Sequence, residues 1–237
     1  MQSSINHKQL KLVIFDMDGL MFDTGRIAYN AYLKNAKKYD FEMIHDVYYA
    51  LTGRTNASII EGMKEMYGEE NDVIAWREAI VKERNYVTTH ATTVGKKPGL
   101  VELIQYLKEN NILIAVASSS DKAVIERYLK LELLEGLFDA IISGDMVTQG
   151  KPAPEVFLKA CEELNVSSED AVVLEDSVVG VKASKNAGIN VFLIRDDIYD
   201  LPIYEGKIKI RNPIVLEEET PTKEFKSLFE VKQYLED

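Results

Sequence analysis

The sequence predicts an open α/β fold, a parallel sheet wound with helices on both faces, with a helical segment inserted after the first strand. Three observations predict it. Short apolar runs rich in β-branched residues recur along the chain and each stops at a polar residue. Helical patterns separate most of them, and one long stretch carries helical periodicity alone.

The first run is Leu12 to Phe15. From Arg26 to about His90 the apolar residues recur only at helical spacing: Ile27, Ala28, Ala31, Tyr32, Asn35 and Ala36, then Ala57, Ile60, Met63 and Met66, then Val73 to Val87. That pattern predicts an inserted cap of about four helices, with Gly25 and the segment Gly95 to Gly99 as hinges. Strand and helix then alternate. Helices are expected at Gly99 to Glu109 after Pro98, Lys122 to Leu134 after Asp121, Pro154 to Leu164, and Val178 to Asn186 before Gly188. Strands are expected at Ile112 to Ala117, Ala140 to Ile142, Ala171 to Leu174 and Val191 to Ile194. In the tail, Ile208 to Ile210 reads as an edge strand and Glu224 to Leu235 as a closing helix. The expected domains are an α/β core of residues 1–24 and 92–237 and a helical cap of residues 25–91. No internal repeat or low-complexity segment is evident.

Composition narrows the function. With 46% hydrophobic and 28% charged residues, the 237-residue chain resembles an ordinary globular protein. Its 39 acidic against 28 basic side chains give a net charge of −11 and no Lys/Arg run, which argues against nucleic acid and anionic lipid as partners. The single cysteine, Cys161, permits no internal disulfide and lies in an apolar helical pattern, as a packed core thiol does. Met1 to Leu10 lack an apolar signal region, and no apolar run approaches the ~20 residues that span a bilayer. A cytoplasmic monomer acting on a small molecule is the expectation.

In an open parallel sheet, ligands bind beyond the carboxyl ends of the strands, and four fragments fall there. Asp16-Met17-Asp18-Gly19 places two carboxylates at i and i+2 after the first strand: one to ligate a metal and attack, one to give and take a proton. Read alone, it is equally an acidic turn. Ser118 and Ser119, in Ala117-Ser118-Ser119-Ser120-Asp121, offer a hydroxyl and backbone N–H groups to a phosphate oxygen, although Ser and Asp are also common helix N-caps. In Gly150-Lys151-Pro152-Ala153-Pro154-Glu155, two prolines stiffen the loop around one ammonium, which can hold a carboxylate and a phosphoryl group together. Glu175 and Asp176 close the run Val172-Val173-Leu174 and supply the hard oxygen ligands that Mg²⁺ prefers; an acidic helix N-cap is the competing account of Asp176.

These fragments, in this order, resemble the haloacid dehalogenase superfamily, and within it the branch with a helical cap after the first motif, which includes β-phosphoglucomutase and many sugar-phosphate phosphatases. The match runs from about Leu12 to Arg195. The resemblance implies a Rossmann-like, doubly wound core and a Mg²⁺-dependent enzyme working through an aspartyl-phosphate. It makes Asp16 the nucleophile, Asp18 the acid/base, Ser118 the phosphoryl binder and Lys151 the charge neutraliser. Asp176 and Glu175 serve Mg²⁺ with Asp16 and the backbone carbonyl of Asp18.

The sugar mutases of this branch carry a histidine early in the first cap helix, where ungapped counting from Asp16 places Ala28. They also carry an arginine three residues after a cap-loop glycine, where this chain has Asn56 after Gly53. Both departures favour water as the phosphoryl acceptor, so the expectation is a phosphatase for a small phosphorylated metabolite, with the mutase second. A non-enzymatic phospho-acceptor or binding protein is a distant third. Arg54 is placed to reach substrate or to face solvent at a helix start. His7, His45 and His90 read as surface or packed residues, and Tyr29, Tyr32, Tyr48, Tyr49 and Trp76 as core and surface of the cap.

Overall fold

In a computed structural model that describes residues 10–216 and 218–237, the five apolar runs are strands. They are β1 (Leu12–Phe15), β2 (Leu113–Ala117), β3 (Ala140–Ile142), β4 (Ala171–Glu175) and β5 (Asn190–Ile194). With β6 (Lys223–Phe225) they form one sheet in the order β3-β2-β1-β4-β5-β6, and every pairing is parallel. His7 lies outside the described residues.

Four helices follow β1: α1 (Thr24–Tyr39), α2 (His45–Leu51), α3 (Asn56–Tyr67) and α4 (Val73–His90). The others are α5 (Leu100–Glu109), α6 (Lys122–Leu131), α7 (Glu155–Glu163), α8 (Val178–Asn186) and α9 (Leu228–Glu236). No helix among the described residues is long and apolar enough to cross a membrane.

The chain divides into two units. The α/β unit contains the described residues up to Asp23, Thr93–Asp196 and Glu219–Asp237. Its sheet has helices on both sides, so all four residues of β1 are buried, as a central parallel strand requires. Leu12 and Ile14 pack with Val173, Val191 and Leu193 into a cluster that includes Phe157 and Cys161 of α7 and Val181 of α8. Removing the fully buried Phe157 ring would cost ~3–5 kcal/mol. Cys161 is a buried free thiol, and burial raises its pKa, so it packs as a core residue.

The helical unit contains Thr24–Thr92 and Asp197–Glu218. Its core is aromatic: Phe41 stacks on Trp76 with ring centroids 4.3 Å apart, and Tyr67 meets Trp76 edge-on at 5.3 Å. Thr55 and Asp72 cap α3 and α4, accepting from the amides of Ser58 and Ala75.

The tail departs from the sequence reading. Residues 197–218 belong with the helical unit, although the expected domain bounds place them in the α/β core. Backbone bonds tie them there: Met43 and Tyr204 exchange N–H···O contacts at 2.7 and 2.9 Å, and the Ile208 amide donates to the Asp40 carbonyl. Ile208 therefore forms an isolated bridge to Phe41 and not an edge strand. The edge strand is β6, and Ser227 then caps α9, accepting from the Glu230 amide. The expected hinge glycines also have other work. Gly25 lies in α1, Gly95 is bonded through its N–H to Glu132, and a Cβ on Gly99 would strike the backbone of Phe229. α6 stops at Leu131, before a left-handed Leu133.

Candidate active site

β1 pairs with β2 on one side and β4 on the other, with Phe15 opposite Val116 and Leu174. The chain order reverses direction at β1, the place where open α/β sheets bind ligands. Asp16 therefore leaves β1 level with Ser118 beyond β2 and with Glu175 and Asp176 at the end of β4.

The turn after Asp16 is tight because it must be. Gly19 has φ +84°, and a Cβ there would fall on the Asp176 carboxylate. In the first turn of α8 a Cβ on Gly180 would collide with the Glu175 carboxylate at the end of β4. These two glycines let backbone approach the acids closely.

Lys151 joins the strands. Its ammonium, nearly sealed from solvent, donates to Asp16 Oδ1 and Glu175 Oε1, each at 2.6 Å, and lies 4.8 Å from the centroid of the Phe157 ring. Glu155 steadies the preceding loop by accepting from the amides of Thr148 and Gln149. Glu175 Oε2 accepts from the amides of Asp176 and Ser177 and from the Ser177 hydroxyl, so both its oxygens are engaged. Ser177 is the N-cap of α8, accepting from the Gly180 amide. Asp176 is thus released from capping.

Asp16, Glu175 and Asp176 each offer a carboxylate oxygen, all within 4.8 Å of one another. One ammonium does not balance them. Burial, with Glu175 and Asp18 alongside, pushes the Asp16 pKa up to about 7 against the pull of Lys151. Burial, then Glu175, Asp16 and Asp196, raises Asp176 well above the ordinary carboxylate range. Burial acts to lower the Lys151 pKa, but Asp16 and Glu175 outweigh it and the ammonium is held protonated. Hard, converging oxygens with excess negative charge fit a divalent cation such as Mg²⁺.

Ser118 is buried, and its Oγ accepts from the Ser120 amide at 3.0 Å, leaving its own proton to donate. Ser119 is exposed. Among the described residues it is Ser120 whose hydroxyl meets the acids, donating to Asp18 Oδ2 at 2.8 Å. A run of three serines gives no sign of which one turns inward. Asp121 occupies the N-cap position of α6 without a side-chain cap bond. Arg54 stands in the helical unit, between α2 and the Thr55 cap of α3. His45 Nε2 lies 2.8 Å from the Leu201 carbonyl and its ring stacks on Tyr29, while His90 is exposed at the end of α4.

Known proteins are similar to this chain. The profile of the family described as haloacid dehalogenase-like hydrolase matches residues 13–194. A phosphorylated carbohydrates phosphatase of Thermotoga maritima is 33% identical over 76% of this chain and 82% of its own. A beta-phosphoglucomutase of Bacillus subtilis is 31% identical over 76% of this chain and 81% of its own. Among solved structures, CbbY of Rhodobacter sphaeroides superposes with a TM-score of 0.66 at 22% identity, covering 94% of this chain and 96% of that one. This last likeness speaks for the fold.

Proposed function

The chain belongs to the haloacid dehalogenase-like hydrolase family, and we propose that it is a Mg²⁺-dependent cytoplasmic phosphatase that hydrolyses a small phosphomonoester, such as a sugar phosphate, through an aspartyl-phosphate. Family and relatives make it a phosphoric monoester hydrolase. The observation that carries the finer reading is the single buried ammonium of Lys151 shared by Asp16 and Glu175, beside an Asp176 that takes no part in capping.

Asp16 is the nucleophile. Its Oδ2 forms a bond to phosphorus as the bond to the leaving oxygen breaks, and Asp18 gives that oxygen a proton. Asp18 then takes a proton from water, the water oxygen bonds to phosphorus, and the Asp16 carboxylate is released. Ser120 holds Asp18 in place for both transfers. Ser118 donates to a phosphoryl oxygen, and Lys151 offsets the repulsion between a carboxylate and a phosphate dianion. Asp16, Asp176 and the Asp18 backbone carbonyl would hold Mg²⁺, which supplies further charge compensation for that approach. Glu175, with both oxygens engaged, steadies Lys151 and the start of α8. In this reading the helical unit is the cap that selects the substrate, with Arg54 as a contact.

A mutase is the second reading, favoured by the Bacillus subtilis relative. Ala28 and Asn56 stand against it, because neither supplies the imidazole or guanidinium that those positions carry in sugar mutases. The deciding experiment is a phosphate-release screen with Mg²⁺ over sugar phosphates, nucleotides, glycerol phosphate and phosphoglycolate. It is run beside an assay for β-glucose 1-phosphate isomerisation. Release from a small phosphomonoester with no isomerisation supports the phosphatase; isomerisation as the faster reaction overturns it.

A further inference from the structure

A second lysine of the α/β unit also holds two acids. Lys97 donates to Asp23 Oδ1 at 3.0 Å and to Asp196 Oδ1. Asp196 is buried, two residues beyond the stretch that the family profile matches. Its other oxygen points toward the site. A Cβ built on Gly19 would run into Asp176 Oδ2 and lie 3.4 Å from Asp196 Oδ2, so the two carboxylates converge on one spot beside Gly19.

We propose that Asp196, tethered by Lys97, is a positioning residue of the acidic site, its carboxylate held beside that of Asp176 so that its negative charge adds to the attraction for a divalent cation there. The proposal rests on the metal reading above. The pair acts by opposite signs. Asp196 adds negative charge next to Asp176 and favours a divalent cation, whereas Lys97 cancels part of that charge and fixes the Asp196 carboxylate in place. Asp23 and Asp196 are also the last residues of the α/β unit before the chain passes to the helical unit. The lysine that tunes the acids therefore also anchors two segments at their roots.

The test is Mg²⁺ binding to the full-length protein, measured by titration calorimetry and by the Mg²⁺-dependent rise in Tm. Asp196→Asn, nearly isosteric, is expected to weaken Mg²⁺ binding roughly fivefold or more. Lys97→Met should tighten it by a similar factor while lowering Tm in chelator. Lys97→Arg, which keeps the charge, should stay near wild type. A purely structural pair would lower Tm in both variants and move the Kd in neither, or in one direction only, and that result overturns the proposal. Should Asp196→Asn fail to fold, the contrast between Lys97→Met, expected to tighten binding, and Lys97→Arg, expected to leave it unchanged, still decides it. Wild-type protein that binds no Mg²⁺ would overturn the metal reading itself, and this proposal with it.

Discussion

Ser120 donates its hydroxyl to Asp18 Oδ2 at 2.8 Å, and so fixes the carboxylate to which both proton transfers are assigned. Asp18→Asn removes the acid/base itself and should lower kcat by about 10²–10⁴. Ser120→Ala leaves the carboxylate but frees its rotation, so a smaller loss, roughly tenfold, is expected in kcat with little change in KM. Steady-state kinetics of the two variants check this. An Asp18→Asn enzyme with wild-type kcat would remove Asp18 from the mechanism.

Lys151 is the only cation bonded to Asp16 and Glu175 among the described residues, and it is buried with them. Lys151→Met leaves two buried carboxylates facing each other, which should cost ~3–5 kcal/mol of stability as well as turnover. Denaturant unfolding measures the first and phosphate release the second. A variant as stable as wild type would show that the lysine does not hold the acids together.

The raised Asp16 pKa carries a sign. Its folded value of about 7 lies above the ordinary 3.8, so the folded protein holds a proton there that the unfolded chain releases. Stability from this group is present at low pH and is lost as pH rises from about 4 through about 7. In chelator, wild-type Tm should fall over that window relative to Asp16→Asn, and Mg²⁺ should restore it. Parallel Tm profiles for the two proteins would contradict the assignment.

Glu132, at the end of α6, accepts from the Thr93 hydroxyl, from the amides of Val94 and Gly95, and from Lys96. Burial works against its charge, but these bonds prevail and hold its pKa down at about 2. Its contribution is complete above the ordinary 4.5 and is lost as pH falls toward 2. Glu132→Gln should destabilise the protein by ~1.5–3 kcal/mol and speed hydrogen exchange at residues 93–96. Unchanged exchange there would mean that the segment is anchored by something else.

The sheet and most of the candidate site were legible because both are written locally. β-branched runs mark buried strands, and Asp16, Lys151, Glu175 and Asp176 stand at or near the ends of such runs, where the topology must gather them. What was illegible depends on contacts between distant segments. Residues 197–218 join the helical unit largely through backbone bonds such as Tyr204 to Met43, which leave no periodic pattern. Ile208 to Ile210 alternate like a strand because they pack on the helical unit's core. Ser118, Ser119 and Ser120 differ only in where the backbone points them, and Lys97 meets Asp196 only once β5 is in place.

The covalent step is assigned to the Asp16 carboxylate. Its most direct test is phosphate release by Asp16→Asn, in Mg²⁺, on the best substrate from the screen, with circular dichroism confirming the fold. The expected result is a folded protein with no detectable turnover; turnover equal to wild type would contradict the aspartyl-phosphate mechanism.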